Sequence, residues 1–203
     1  YIDINAPTGF QCGFQHNTEY LTSKYCYKYE YGDNGVRCII VGEDKDVFIQ
    51  WLNTLPKHQH RFYEFIRETD IVAEFYDIDL KITPDDDAES MSTDIITNLL
   101  HTRNEISHTK LSNRDIIVQS SHTSTKLSLH ISSKKTYFKS NALQYLFGKD
   151  IVTQLDILSK DKRKWVGNVV FSIDLSVYSK NRCFRMCGNH KYGRTNDLVV
   201  FQP

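Results

Sequence analysis

Long apolar runs are absent from this chain of 203 residues, of which 40% are hydrophobic and 25% charged. No run approaches the roughly 20 apolar residues that span a bilayer, so the sequence predicts no membrane-spanning helix and no membrane partner. An internal repeat and a low-complexity linker are also missing. The hydrophobic content is enough to bury a core, which argues against a largely disordered chain.

Cysteines are few, and their spacing is unpaired. Five cysteines make an odd count, so reduced thiols in an intracellular protein are the simplest interpretation. Cys183, Cys187 and His190 have a zinc-like spacing, but Cys183 lies inside a basic motif and no fourth ligand is suitably spaced. The chain also begins at Tyr1 rather than Met, which predicts that it is a piece of a longer protein.

Net charge is absent as well, with 25 Lys and Arg against 25 Asp and Glu. This balance hides a split, because residues 1–106 hold 9 basic and 19 acidic residues, whereas residues 107–203 hold 16 and 6. The asymmetry predicts an anionic partner for the second half, unless the two halves neutralise each other within the fold.

Helical and strand patterns alternate along the chain, and 12 Tyr and 11 Phe favour a fold that contains sheets. Strands are predicted at residues 36–41, 61–66, 71–80, 115–121, 126–131, 169–173, 183–186 and 198–201, the last three completing one sheet. Helices are predicted at residues 45–55 (capped by Asp44), about 90 to 101 or beyond, 140–148 (capped by Ser140 and ended by Gly148) and 151–158. Apolar faces are predicted for the first two helices, with Val47, Trp51 and Leu55 on one and Ile95, Leu99 and Leu100 on the other. The mixture with hairpins predicts an α+β fold.

Two aspartates lie two residues apart at the end of the apolar stretch from Ile71 to Leu80. Alternate residues of a strand share a face, so Asp77 and Asp79 are predicted on one face. Neighbouring carboxylates repel, and a bound divalent cation would relieve that repulsion because hard cations take oxygen ligands. The pair indicates either a metal site with further partners or a solvated acidic face.

A second alternating stretch runs from Lys126 to His130. Alternation puts Lys126, Ser128 and His130 on one face and sends Leu127 and Leu129 to the core. A cation, a hydroxyl and an imidazole in a row supply the hydrogen-bond donors that a polyphosphate needs. Taken alone, an ordinary amphipathic strand is the alternative interpretation.

A third segment begins with Asp174 and continues to Arg182 and Arg185, with Lys191 and Arg194 beyond it. Arginine is suited to bidentate phosphate binding. A third carboxylate near the aspartate pair would complete a two-metal site for phosphoryl transfer. The alternative is a basic surface loop.

Other polar residues receive no chemical role from the sequence. The basic turn at residues 161–164 is predicted to be exposed. Six histidines are predicted on the surface or in loops: His16, His58, His60, His101, His108 and His122.

The three motifs, in this order, resemble those of the archaeo-eukaryotic primase superfamily, nearest to its eukaryotic and viral primase-polymerase branch. They are the stretch from Phe75 to Asp79, the stretch from Lys126 to His130, and residues 174–185. The resemblance spans residues 63–194, and no motif is recognised before about residue 61. That branch often has Glu where this chain has Asp79, which is shorter but keeps the charge.

The resemblance implies roles for the matching residues. Three acids would hold two Mg²⁺ or Mn²⁺ ions: Asp77, Asp79 and Asp174. Three residues of the second motif would bind the triphosphate of the incoming nucleotide: Lys126, Ser128 and His130. Three basic residues would hold its phosphates from the other side: Arg182, Arg185 and Lys191. Tyr63 would lie near the incoming sugar.

The resemblance also implies a fold and an activity. The superfamily fold packs a small N-terminal α/β module on a larger module related to the RNA-recognition fold, with a mixed or antiparallel sheet. Residues 1–203 would form a single catalytic domain, with modules at residues 1–68 and 69–203. The implied enzyme is a DNA primase-polymerase that transfers nucleotides from (deoxy)nucleoside triphosphates to a 3′-hydroxyl, with DNA template and primer as partners. A helicase domain or replication partner, and a nuclear or viral replication site, belong to the same expectation.

Two other functions use part of the same pattern. A metal-dependent nuclease would use the acids to activate water. It has no obvious use for the row of donors on Lys126, Ser128 and His130, here called the Lys126–His130 ladder. A module that binds single-stranded nucleic acid would use the aromatic and basic residues, but it has no need of three acids.

Overall fold

The computed structural model describes residues 11–14, 24–31, 36–160, 171 and 173–201. These residues form three α-helices and two antiparallel sheets, which confirms the predicted α+β class. The helices are α1 (Lys45–Thr54), α2 (Ala88–Ile106) and α3 (Asn141–Lys160). The strands are β1 (Gln11–Phe14), β2 (Tyr25–Tyr31), β3 (Val36–Gly42), β4 (Phe62–Ile66), β5 (Val72–Lys81), β6 (Ile116–Ser120), β7 (Lys126–Phe138), β8 (Arg182–Arg185) and β9 (Val199–Phe201). None of these helices combines the length and apolar character needed to cross a membrane.

The chain divides into two compact units. Unit 1 comprises residues 1–67 and 181–198, and unit 2 comprises residues 68–180 and 199–203. The sequence predicts a division after residue 68 and assigns all later residues to the second module. Residues 181–198 instead belong to unit 1, because β8 pairs with β4. The prediction that β8 and β9 complete one sheet is therefore wrong, since β9 pairs with β6 in unit 2.

Unit 1 is built on a five-stranded sheet in the order β1-β3-β2-β4-β8. Helix α1 packs on one face and begins, as predicted, at Asp44, whose carboxylate accepts hydrogen bonds from two backbone nitrogens of the first turn. The sequence predicts that three residues line its apolar face: Val47, Trp51 and Leu55. Trp51 and Leu55 do pack against the core, although they are only partly buried. The buried residues of the helix are Phe48 and Leu52, and Val47 is 36% exposed. Phe48 stacks on Tyr27 with ring centroids 3.7 Å apart, and burial of this aromatic pair outweighs burial of a valine.

Unit 2 is built on a four-stranded sheet in the order β5-β7-β6-β9. The predicted β6–β7 hairpin is confirmed, although β7 continues to Phe138 rather than ending at residue 131. Alternation buries Ile78 and Leu129 completely on the core face. Helix α2 packs through Ile95 and Leu99, which are also fully buried, as the sequence predicts.

A buried ion pair ties α2 to β5 in unit 2. Arg103 Nε and Nη2 each donate to one carboxylate oxygen of Glu74 over 2.8 Å, and the two side chains are 2% and 1% exposed. Thr136 Oγ1 donates to the same carboxylate over 2.7 Å, and the Tyr76 hydroxyl is a further donor to it. Several donors thus stabilise one buried charge, and removing Arg103 alone would cost about 3–5 kcal/mol.

One continuous helix, α3, replaces the two helices predicted on either side of Gly148. The prediction that Gly148 ends a helix is therefore wrong. A β-carbon at this position would lie 3.1 Å from Leu175 Cδ2 and from Tyr178 Cε2. Glycine here permits close approach between α3 and the short 3-10 helix Leu175–Tyr178.

The charge asymmetry of the two sequence halves is not kept by the two units. By sequence, unit 1 has 11 Lys and Arg against 9 Asp and Glu, and unit 2 has 14 against 16. The basic segment at residues 181–198 belongs to unit 1, and the acidic residues from 68 to 106 belong to unit 2. Each unit is therefore close to neutral, and an anionic ligand would be recognised by local clusters rather than by a basic half.

Candidate active site

Asp77 on β5 lies directly opposite His130 on β7 in the antiparallel register. His130 Nε2 is 3.7 Å from Asp77 Oδ1, and the two side chains are 7% and 17% exposed. Charges interact more strongly in such a shielded position than on an open surface. The structure thus brings the first and second sequence motifs together.

Asp79 forms the neighbouring rung with Ser128, which lies directly opposite it on β7. Lys126 Nζ contacts Asp79 Oδ2 at 2.7 Å, and these two side chains are 42% and 39% exposed. A solvated pair of this kind contributes at most about 1 kcal/mol. Lys126 can therefore exchange Asp79 for an anionic ligand at small cost.

Asp174 reaches β5 from its other edge. Its backbone nitrogen donates to the carbonyl oxygen of Asp77 over 2.8 Å, and the preceding residue, Ile173, forms an antiparallel bridge with Ile78. That bridge puts Asp174 across from Asp77, and directly opposed residues share a face. Asp174 Oδ1 also accepts a hydrogen bond from the Ser176 nitrogen over 2.8 Å, which caps the 3-10 helix that follows.

Three carboxylates, those of Asp77, Asp79 and Asp174, therefore lie on one face around β5. Oxygen donors of this kind fit Mg²⁺ or Mn²⁺ in their chemistry. Across the described residues, no three His, Cys, Asp or Glu side chains already form a compact ligand cluster. A bound ion would compete with Lys126 Nζ for the carboxylate of Asp79.

The carbonyl oxygen of Phe75 anchors the segment that follows Asp174. It accepts a hydrogen bond from the Tyr178 hydroxyl over 2.6 Å and another from Gln144 Nε2 on α3. Burial, and to a smaller extent the charge of Asp77, raise the pKa of Tyr178, so its hydroxyl remains a donor. Sequence reasoning assigned no role to Tyr178 or Gln144, because their shared acceptor is a backbone atom.

Tyr63 lies in unit 1, on β4, between Lys28 of β2 and Arg185 of β8. Its hydroxyl donates to Glu30 Oε2 over 2.8 Å, and the same oxygen accepts from the Tyr192 nitrogen over 3.0 Å. Tyr63 and Glu30 are 4% and 6% exposed. A buried carboxylate therefore holds the tyrosine hydroxyl in place.

Arg182 and Arg185 stand at the two ends of β8. Arg182 pairs with Ile66 and is exposed, whereas Arg185 pairs with Tyr63 and is buried. Strand residues three apart project from opposite faces. Arg182 and Arg185 therefore project from opposite faces of β8, although the sequence predicted that both would hold phosphates. Lys191 is exposed in a turn of the same unit, where its carbonyl accepts from the Arg194 nitrogen over 3.0 Å.

His122 lies in the β6–β7 turn and contacts the second motif. Its Nδ1 is 3.1 Å from the backbone nitrogen of Ser128, and its Nε2 is 3.3 Å from Ser92 Oγ on α2. Burial lowers the pKa of His122. The prediction that this histidine lies in a loop is confirmed. Only its position four residues before Lys126 could have indicated a contact with the Lys126–His130 ladder.

Two predictions from the sequence remain untested. The basic turn at residues 161–164 lies outside the described residues, as does His16. In the rejected zinc pattern, His190 Nδ1 instead contacts Asp197 Oδ1 at 3.1 Å, and Cys187 is an exposed free thiol.

No protein-family model matches the chain, and a search of curated proteins also finds no match. A functional assignment therefore depends on the order of the three motifs and on the geometry of each unit.

Proposed function

We propose that the chain is the catalytic domain of a DNA primase-polymerase, from the eukaryotic and viral primase-polymerase branch of the archaeo-eukaryotic primase superfamily. The observation that carries the proposal is the arrangement around Asp77, which has His130 opposite it on β7 and Asp174 hydrogen-bonded to it at the other edge of β5. These residues come from three distant segments of the sequence and occupy adjacent backbone positions in unit 2. A merely solvated acidic face has no need of such neighbours.

The α+β architecture is compatible with this proposal. Unit 2, with its four-stranded antiparallel sheet and two helices, would correspond to the module related to the RNA-recognition fold. Unit 1 would correspond to the small N-terminal module, extended here by residues 181–198.

Asp77, Asp79 and Asp174 would hold two Mg²⁺ or Mn²⁺ ions. When bound, such ions supply positive charge to triphosphate oxygens and lower the pKa of an attacking 3′-hydroxyl. The protein's own contribution is to hold Asp174 beside Asp77 by a main-chain hydrogen bond, while strand alternation puts Asp79 on the face of Asp77.

Lys126, Ser128 and His130 would bind the triphosphate of the incoming nucleotide. Lys126 is exposed enough to meet a phosphate, whereas Ser128 and His130 are 6% and 5% exposed and would donate from a shielded position. Charge-assisted hydrogen bonds are strongest where water is excluded. The roles of four unit 1 residues remain predictions: Tyr63, Arg182, Arg185 and Lys191.

The partners of such an enzyme would be a DNA template, a primer and nucleoside triphosphates. A helicase domain in the full-length chain or a separate replication partner, and action inside the cell at a nuclear or viral replication site, are part of the same proposal.

A nucleotide-incorporation assay separates this function from its two rivals. A labelled primer on a template is incubated with nucleoside triphosphates and Mg²⁺ or Mn²⁺, using the wild type, Asp77→Asn and the control Asp85→Asn, which changes an exposed acid outside the site. Primer extension by the wild type and the control, but not by Asp77→Asn, is the expected result. Primer shortening would indicate a nuclease, and a mobility shift without either product would indicate a binding module.

A further inference from the structure

The His122 side chain lies in a directed chain of hydrogen bonds between β7 and α2. A backbone N–H can only donate, so the contact with Ser128 makes Nδ1 the acceptor. The neutral imidazole then has its proton on Nε2 and donates to Ser92 Oγ. The Ser92 hydroxyl completes the chain by donating to the carbonyl oxygen of Ala88 over 2.6 Å.

The imidazole takes the place of a backbone acceptor where the hydrogen-bonded pairing of β6 with β7 ends. The Ser121 nitrogen donates to the Ser128 carbonyl over 3.1 Å, and Thr123 and Lys126 form an isolated bridge beyond it. The N–H of Ser128 is directed to His122 Nδ1. Since Ser128 is only 6% exposed, loss of that acceptor would leave a buried donor without a ready substitute from water.

We propose that His122 is a positioning residue for nucleotide binding, which acts by fixing the backbone of Ser128. This inference rests on the proposed role of the Lys126–His130 ladder. Ser128 is the middle residue of that ladder and lies opposite Asp79. A shift of its backbone would therefore misplace the hydroxyl donor and the neighbouring rung together, without removing any group that contacts the nucleotide.

A merely structural role for His122 makes a different prediction. In that case the contact with Ser92 would matter most, because it anchors the turn to α2. The KM for nucleotide would then change only in proportion to the loss of stability of unit 2.

Two substitutions of His122 separate the two hydrogen bonds. In His122→Asn the amide oxygen lies near the position of Nδ1 and can accept from Ser128. In His122→Gln the longer side chain carries its amide towards the position of Nε2, so it can reach Ser92 but not Ser128. Ser92→Ala, which keeps the histidine, is the matched control for the second bond.

The KM for deoxynucleoside triphosphate is measured for each variant at saturating template-primer with Mn²⁺, beside kcat, thermal stability and the exchange rate of the Ser128 amide. We expect His122→Asn and Ser92→Ala to keep KM within about twofold of the wild type. His122→Gln should raise KM by about two- to tenfold with a smaller change in kcat, because one buried hydrogen bond is lost. The Ser128 amide should exchange faster only in His122→Gln.

Two results would overturn the inference. Equal increases in KM for the Asn and Gln variants, or an increase for Ser92→Ala, would show that His122 acts through packing or through α2. If the wild type incorporates no nucleotide while Ser128 exchange still differs between the Asn and Gln variants, the hydrogen bond stands and the proposed function fails, together with the nucleotide role of His122.

Discussion

The backbone nitrogen of Asp174 donates to the carbonyl oxygen of Asp77 over 2.8 Å. This contact joins the third sequence motif to the first, and it uses main-chain atoms alone. The relative position of the two acids therefore does not depend on their own side chains. Substitutions of either carboxylate can test its chemistry while leaving the backbone arrangement in place.

Replacing either acid should abolish nucleotide incorporation. We expect Asp77→Asn and Asp174→Asn to lose at least about a hundredfold in rate, because each removes a charged metal ligand. Asparagine at residue 174 keeps an oxygen that can accept from the Ser176 nitrogen, so the cap on the 3-10 helix is retained. A near wild-type extension rate in either variant would contradict the metal assignment.

The double substitution Asp77→Ala and Asp79→Ala should leave unit 2 folded. Without a bound ion, removal of two neighbouring carboxylates relieves repulsion. Differential scanning calorimetry should still show a cooperative transition. Its disappearance would mean that the acids are required for the fold.

His130→Ala should weaken nucleotide binding and leave DNA binding nearly unchanged. Loss of a charge-assisted phosphate contact costs about 1.5–3 kcal/mol, or roughly tenfold to a hundredfold in KM or kcat. The salt dependence of template-primer binding should stay the same, because its slope counts neutralised DNA phosphates. His108→Ala, which changes an exposed histidine, is the control. Strongly weakened DNA binding with normal nucleotide kinetics would show that the triphosphate does not bind on β7.

Tyr63 should limit the use of ribonucleotides. Tyr63→Ala is expected to raise the ratio of kcat/KM for ribonucleotides to that for deoxyribonucleotides, because it removes bulk at the predicted sugar contact. Glu30→Gln should change the ratio in the same direction but less, since it weakens the hydrogen bonds from the Tyr63 hydroxyl and the Tyr192 nitrogen but keeps the tyrosine ring. An unchanged ratio in Tyr63→Ala would exclude this role.

Gly148→Ala should destabilise unit 2, although alanine favours helix formation by up to about 1 kcal/mol. The new methyl group would lie 3.1 Å from Leu175 and Tyr178 side-chain atoms, and the tyrosine is held by its bond to Phe75. Overpacking of this kind costs about 1–3 kcal/mol. Urea denaturation measures the loss, with Lys149→Ala at an exposed position of the same helix as the control. A more stable Gly148→Ala variant would show that the 3-10 helix can move away.

The stability of unit 2 should decrease as His122 becomes protonated. Burial lowers the pKa of His122 below the value of about 6.5 in the unfolded chain, so the unfolded chain binds the proton more readily. The contribution of neutral His122 to the free energy of unfolding is fully present above about pH 6.5. It is lost as the pH falls through the lower pKa of His122 in the folded protein. The free energy of unfolding should therefore fall more in the wild type than in His122→Asn between about pH 7.5 and 5.5. Equal decreases in the two proteins would contradict the prediction.

Local sequence patterns predicted the elements that hold the site. Alternation was sufficient to place Asp77 and Asp79 on one face and to bury Leu127 and Leu129, because a strand has a fixed period of two. The hairpin that contains Lys126 was predicted for the same reason. The cap at Asp44 followed from a single side chain that satisfies nearby backbone donors.

The sequence by itself thus determined the α+β class, the two site strands and the residues that share their faces, since each depends on neighbours within a few positions. Tertiary structure alone decided the rest. Gly148 lies inside a helix, where a distant tyrosine packs closely against it. Residues 181–198 belong to unit 1 because β8 pairs with β4. His122 supplies the acceptor for the Ser128 N–H that β6 does not provide. Each outcome depends on contacts between residues far apart in the chain, for which a single sequence has no periodic signal.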